Sequence, residues 1–154
     1  MTVTTPNRPA IRDPQVDEIA AHLRLVVTRT ARRLRQEAGP ELSPSQGSAL
    51  ATIERHGPLT PSQLAERERI KRPTATRVVA KLELDGLIER AAAPGDGRSC
   101  SLRLTPDGTA LIRRLRKRKT AFLAARLRAL DPDDLATLER ASQLLEDVLE
   151  DERS

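Results

Sequence analysis

Five times from Asp13 onward a Ser, Thr or Asp able to cap a helix stands directly before a proline, at Asp13-Pro14, Ser43-Pro44, Thr60-Pro61, Thr105-Pro106 and Asp131-Pro132. No other feature restricts the fold as much. A Ser, Thr or Asp oxygen accepts a hydrogen bond from a free N–H of the first helical turn. Proline's fixed φ suits the first helical position, where its missing N–H is not needed. Each pair therefore predicts a helix start. Ser43 with Gln46 and Thr60 with Gln63 add capping-box spacing, and Leu59 with Leu64 has the spacing of a hydrophobic staple. Gly39-Pro40, Gly57-Pro58 and Gly86 supply stops. Residues 1–12, with Pro6 and Pro9 and no apolar period, read as a flexible N-terminal arm.

Between the first stop and the fourth cap the pattern changes. Helices are predicted over 43–56, 61–68 and 71–85, followed by the two strand-like runs of the chain, Leu87 to Ala91 and Cys100 to Leu104. Pro94-Gly95-Asp96-Gly97 makes the turn between the strands. In the second strand Cys100, Leu102 and Leu104 are expected inward, against Ser101 and Arg103 outward. Three helices and a two-stranded ribbon with a basic tip form the plan of a winged helix-turn-helix. The outer helices carry apolar stripes of their own: Val16, Ala20, Leu23, Val27, Thr30 and Leu34 in the first, and Leu135, Leu138, Leu145 and Val148 in the last. Two such stripes at opposite ends of so short a chain point to a helical homodimer interface. The expected fold is mainly α (α+β), with residues 41–105 as the winged helix-turn-helix and residues 13–40 and 106–154 as a helical dimerisation region, all one structural unit.

Charge narrows the partner. The formal net charge is +5, but up to Leu130 there are 25 basic and 13 acidic residues, and from Asp131 onward 2 basic and 9 acidic. A basic body suits a polyanion, because neutralising phosphates releases counterions. A solvated arginine-rich surface is the competing account, since 23 of the 27 basic residues are Arg. No apolar run nears the roughly 20 residues a bilayer requires, and the single cysteine, Cys100, has no partner for an intrachain disulfide. A cytoplasmic location without membrane contact is expected.

The ordered set Leu59-Thr60-Pro61-Ser62-Gln63-Leu64-Ala65-Glu66, Ile70 to Val79, Leu82 to Arg90, Asp96-Gly97-Arg98 and Leu104 to Gly108 resembles the MarR family of transcriptional regulators. The resemblance implies a dimer whose winged regions bind palindromic double-stranded DNA. It also implies a small-molecule effector, often phenolic, acting between the dimerisation and DNA-binding regions. On the helix over 71–85 the residues Ala75, Val78, Val79 and Leu82 recur at three and four, which turns Arg72, Thr74, Thr76, Arg77 and Lys81 toward other faces. Arg72 or Arg77 suits the O6 and N7 of a guanine, and Thr74 or Thr76 a phosphate or a thymine methyl. Ser62 and Gln63 open the preceding helix, where a phosphate oxygen is favoured, although plain capping accounts for them equally well. The family's Asp-x-Arg wing pair is matched by Asp96 and Arg98, which implies that Arg98 enters the minor groove while Asp96 helps to hold the wing.

Other residues carry weaker signals. The run Arg113-Arg114-Leu115-Arg116-Lys117-Arg118-Lys119 is the densest charge in the chain and reads as a solvated helix face. Lys119 falls on the apolar side, where it either lines a pocket and attracts an anionic effector or extends its ammonium to water, the preferred reading. Cys100 is expected inward as a small hydrophobe. Phe122 is the one aromatic residue, so a phenolic effector would need aliphatic packing. His22, His56 and Cys100 form no nucleophile–base pair and no ligand spacing, and no phosphate-binding glycine loop follows a strand, so neither an enzyme nor a metal or cofactor site is expected. The second reading is a winged helix that binds protein or packages DNA without base readout.

Overall fold

The computed structural model describes residues 14–92 and 100–150. The element order is α1 (Pro14–Ala38), α2 (Pro44–His56), α3 (Pro61–Arg67), α4 (Arg72–Leu84), β1 (Ile88–Ala92), β2 (Cys100–Leu104), α5 (Pro106–Leu127) and α6 (Pro132–Glu150). Four of the five cap-proline pairs act as expected. Ser43 Oγ accepts from the Gln46 N–H at 3.2 Å while the Ser43 N–H donates to Gln46 Oε1 at 2.9 Å, and Thr60 with Gln63 repeats the arrangement. Thr105 Oγ1 accepts from the Gly108 N–H at 3.1 Å, and Asp131 Oδ1 from the Asp134 N–H at 2.8 Å. Asp13 and the expected arm over 1–12 lie outside the described residues.

Helix ends explain how α3 and α4 are set against each other. At the end of α4, Gly86 has a φ of 70°, its N–H donates to the Glu83 carbonyl, and the Leu87 N–H reaches back to Leu82. This crossed pair satisfies two terminal carbonyls and reverses the chain. At the end of α3 the same pair is made by Arg69 to Glu66 and Ile70 to Ala65, but with a φ of 51° on Arg69, a residue with a Cβ. The left-handed conformation costs such a residue about 1–2 kcal/mol. That strain is held by the core on both sides of the turn.

The core joins one fully buried side chain or more from each of four elements: Leu50 of α2, Leu64 of α3, Val79 and Leu82 of α4, and Leu102 of β2. Burying an aliphatic side chain of this size contributes roughly 1.5–3 kcal/mol. Leu59 and Leu64, the pair with staple spacing, both belong to this cluster, and Leu111, Ile112 and Leu115 of α5 close it. The β1 and β2 strands pair antiparallel, with Ile88 opposite Leu104 and Ala92 opposite Cys100.

One sequence expectation is overturned in β2. Ser101 does not face water; it is 6% exposed, and its hydroxyl donates to the Ala91 carbonyl at 3.3 Å. The alternation rule assumes one wet face. Here β1 lies along one edge of β2, Leu59 exchanges two backbone hydrogen bonds with Leu102 on the other, and α2 and α5 pack against the strand. Cys100 is also not a fully buried hydrophobe; it is half-buried and its sulfur faces a guanidinium.

The outer helices differ from the core. Every residue of α1 from 14 to 30 is exposed, including Val16 and Ile19 at 58% each, and in α6 Leu135, Leu138 and Val148 are exposed as well. Within one copy most of both apolar stripes is uncovered, with Leu34 and Leu145 half-buried.

Two glycines give opposite expectations for one substitution. A Cβ on Gly47, in α2, meets nothing within 4 Å, whereas a Cβ on Gly108 would lie 2.0 Å from the Leu87 carbonyl oxygen. In urea denaturation Gly47→Ala is expected to raise stability by about 0.5–1 kcal/mol, the helix-propensity difference. Gly108→Ala is expected to lower it by roughly 1–3 kcal/mol through forced displacement of α5 from the end of α4. Equal signs for the two would contradict this packing.

Candidate nucleic-acid interface

The periodicity of α4 is realised in three dimensions. Ala75, Val79 and Leu82 are buried and Val78 is half-buried, while Arg72, Thr76, Arg77 and Lys81 are exposed and Thr74 is half-buried at the margin. The outward residues are not equivalent. Thr76 Oγ1 donates to the Arg72 carbonyl at 3.0 Å, and Lys81 Nζ is drawn to Asp85 Oδ1 at 2.5 Å. Arg72 and Arg77 make no such bond among the described residues, so their five-donor guanidinium groups are available to an outside acceptor. Arg72 also occupies the first position of a helix whose N-terminus lacks a side-chain cap.

Arg69 and Lys71, both exposed, enlarge this cationic edge at the entry to α4. The sequence conceals them, because Glu66-Arg67-Glu68-Arg69 alternates in sign and reads as self-neutralising. In the fold Glu68 is turned away: its carboxylate accepts from the hydroxyls of Ser48 and Thr52, both on α2. Those bonds fasten the turn between α3 and α4 to α2. On α3, Ser62 is half-buried, and Gln63 serves the capping box through its side-chain oxygen, in line with the plain capping account.

The ribbon is tied to α4 by charge. Arg90 of β1 grips Glu83 of α4 with two bonds, 2.7 and 3.1 Å, and donates a third to the Cys100 sulfur at 3.2 Å. Glu83 first, then Cys100, hold the Arg90 guanidinium still more firmly in its charged form. Across the ribbon, Arg103 meets Glu89 at 2.8 Å in the registered position. Asp96 and Arg98, singled out for the wing tip, lie outside the described residues.

The basic run of α5 is less free than expected. Arg118 donates to Glu41 and to the Ala38 carbonyl, each at 2.9 Å, Arg114 stands 3.8 Å from Glu41, and Arg116 pairs with Glu54 of α2. Glu41 is held below the ordinary carboxylate range, first by its own backbone N–H and then by Arg118 and Arg114, against the opposing effect of desolvation. These arginines clamp α5 to the end of α1 and to α2. Phe122, half-buried, lies under Arg126 with 3.3 Å from the guanidinium carbon to the ring centroid, and Arg33 of α1 stands over it at 5.4 Å.

A cavity of about 610 Å³ opens between α1, α2 and α5. Its walls include Leu34, Leu42, Ala51 and Leu115, with Arg32, Arg35 and Lys119 among the polar groups. Lys119, half-buried, stands among the lining residues of this cavity. Among the described residues no three His, Cys, Asp or Glu side chains gather to hold a metal, and no helix is long and apolar enough to cross a membrane.

Three helices and a two-stranded ribbon, with α4 braced by both and its arginines turned outward, make a winged helix-turn-helix. Comparison with known proteins agrees. The family model described as MarR family matches residues 42–100. An HTH-type transcriptional regulator of Mycobacterium leprae is 35% identical over 134 residues, spanning 86% of this chain and 94% of that relative. A crystal structure of a transcriptional regulator protein from Pseudomonas aeruginosa has a TM-score of 0.77 at 33% identity, covering 90% of this chain and 97% of that one. In fold alone the chain is similar to a Staphylococcus aureus MepR mutant bound to an oligodeoxyribonucleotide, with a TM-score of 0.64 at 18% identity over 84% of this chain and 96% of that one. The chain belongs to the MarR family, and it is a transcriptional regulator.

The two ribbon ion pairs differ in kind. Arg90 makes a forked contact with a carboxylate that is 28% exposed, whereas Arg103 makes one bond to a partner 49% exposed. Arg90→Ala is expected to cost about 1–2 kcal/mol in chemical denaturation, and Arg103→Ala less than about 0.5 kcal/mol. A larger loss for Arg103→Ala would show that the brace on α4 is misassigned.

Proposed function

We propose that two copies of this chain form a homodimer that reads an inverted-repeat operator and represses transcription by occupying it. Residues 41–105 act as the DNA-reading region, and residues 13–40 with 106–154 as the dimerisation region. The observation that carries this reading is the outward pair Arg72 and Arg77, free of internal partners on the one face of α4 that the core leaves open. α4 enters the major groove, where a guanidinium suits guanine. Thr74, Thr76 and Lys81 serve as secondary contacts, since Thr76 and Lys81 must first leave their bonds to Arg72 and Asp85. Arg98 reaches the adjacent minor groove with Asp96 supporting the wing, and Ser62 contributes a backbone contact while Gln63 caps its helix. The uncovered stripes of α1 and α6 support the dimer, because apolar helical faces in water gain most by covering each other.

The cavity between α1, α2 and α5 supports release by a small molecule, since it lies where the two regions meet. The protein acts in the cytoplasm, as a binding protein without catalytic activity. A non-selective packaging role is the second reading, and base preference separates the two.

Fragments recovered from genomic DNA with the native protein are expected to share one short inverted repeat with half-site centres about 34 Å apart. Light scattering is expected to give twice the chain's 17.0 kDa. On the selected duplex, Arg77→Ala and Arg98→Ala are each expected to cost roughly 1–3 kcal/mol, with relaxed base preference mainly for Arg77→Ala. Unchanged binding for both would remove the site, and equal affinity for all fragments would favour packaging.

A further inference from the structure

Given α4 as the DNA-contacting helix, the reading on which this rests, we infer that Arg69 contacts a DNA phosphate, and that the chain keeps a strained turn to hold this guanidinium against the duplex backbone. One kind of turn is made twice in this chain. After α4 the Gly86 N–H donates to the Glu83 carbonyl and the Leu87 N–H to that of Leu82; after α3 the Arg69 N–H donates to Glu66 and the Ile70 N–H to Ala65. Donors and acceptors have the same spacing in both. The residue at the left-handed position differs, with a φ of 70° on Gly86 and 51° on Arg69. Gly39, after α1, is left-handed as well, so among the described residues Arg69 alone carries a side chain at a positive φ. Glycine adopts this conformation without steric cost, and Asn or Asp offsets it through a local hydrogen bond; Arg does neither.

The Arg69 side chain offsets none of this cost within the fold. It is exposed and has no hydrogen bond or ion pair among the described residues. The carboxylate beside it is engaged elsewhere, since Glu68 accepts from the hydroxyls of Ser48 and Thr52 on α2. What the turn gains from an arginine therefore lies outside the chain. Charge and position make that partner DNA. Lys71 and Arg72, both exposed, follow within three residues and form one cationic edge with Arg69, which suits a polyanion. In a helix-turn-helix the first helix crosses the phosphate backbone while the N-terminal residues of the second reach base edges. Arg69 lies on the turn that joins α3 to α4, at the rim of the groove, where phosphate oxygens lie nearer than bases. A guanidinium fork meets a phosphate with two parallel bonds. Arg69 fixes the position of the helix on the duplex, while Arg72 and Arg77 read it.

The test uses the full-length protein on the duplex it selects and on one of unrelated sequence, each titrated over a series of salt concentrations. In urea denaturation Arg69→Gly is expected to raise the ratio of folded to unfolded protein about threefold, because glycine relieves the left-handed turn. The same variant should bind both duplexes about tenfold more weakly. Its plot of log affinity against log salt should be shallower by about 0.9, the contribution of one phosphate on B-form DNA. Arg69→Lys retains the charge and the Cβ, and wild-type stability and salt slope are expected for it. Greater stability with weaker binding is a pairing that a merely structural residue does not give. Unchanged affinity and slope in Arg69→Gly overturn the contact. A loss confined to the selected duplex, with the wild-type slope, overturns the assignment to phosphate, and lower stability of Arg69→Gly overturns the strain. The reading of α4 is judged separately by Arg72→Ala and Arg77→Ala: unchanged binding in both removes that reading, whatever Arg69→Gly does.

Discussion

The outward pose of α4 depends on the burial of its other side. Val79 and Leu82 are locked among Leu50, Leu64 and Leu102, which come from α2, α3 and β2. Because these side chains interdigitate at interior density, α4 cannot rotate about its axis without opening a void or driving a leucine into its neighbours. The face carrying Arg72 and Arg77 is thus fixed by side chains that never approach a ligand. Its orientation is a property of the apolar core, and its chemistry a property of the residues that the core leaves out.

Polar ties then limit how far the whole helix can swing. Glu68 pins the entrance of α4 to α2 through two hydroxyls, and Glu83 pins its last turn to the ribbon through Arg90. Arg118 and Arg116 clamp α5 to α1 and α2 from the opposite side. These ties have acidic partners drawn from a body that is basic overall, so the carboxylates are used inside the fold and the unmatched arginines are left at its edge. The strained Arg69 fits the same pattern: a sharp turn is kept at some cost because anchored elements hold both its sides.

Much of this was legible in the sequence, where it depends on neighbours. The caps at Ser43, Thr60, Thr105 and Asp131, the glycine stop at Gly86 and the three-and-four spacing of Ala75, Val79 and Leu82 are local, and a reader of residues can count them. What escaped depends on partners far apart in the chain. Ser101 was expected to face water because nothing in its surroundings in sequence announces that Leu59 covers the second edge of β2. The role of Glu68 was hidden in a run of alternating charges, and the clamp of Arg118 on Glu41 spans 77 residues. Lys119 falls on the apolar side of its helix by spacing alone, but that this side borders a hollow depends on where α1 and α2 lie. Asp96 and Arg98 lie outside the described residues, and their part rests on the family motif.

The exposed length of α1 has one further consequence. Residues 14–30 of this helix are all exposed within their own chain, so in the proposed homodimer its integrity would become a matter of mass action. For a regulator, the number of molecules per cell then governs more than the occupancy of its operator. In that proposed dimer it would also set the share of chains whose α1 is covered, so that synthesis rate and dilution by cell growth would act directly on the molecule's architecture.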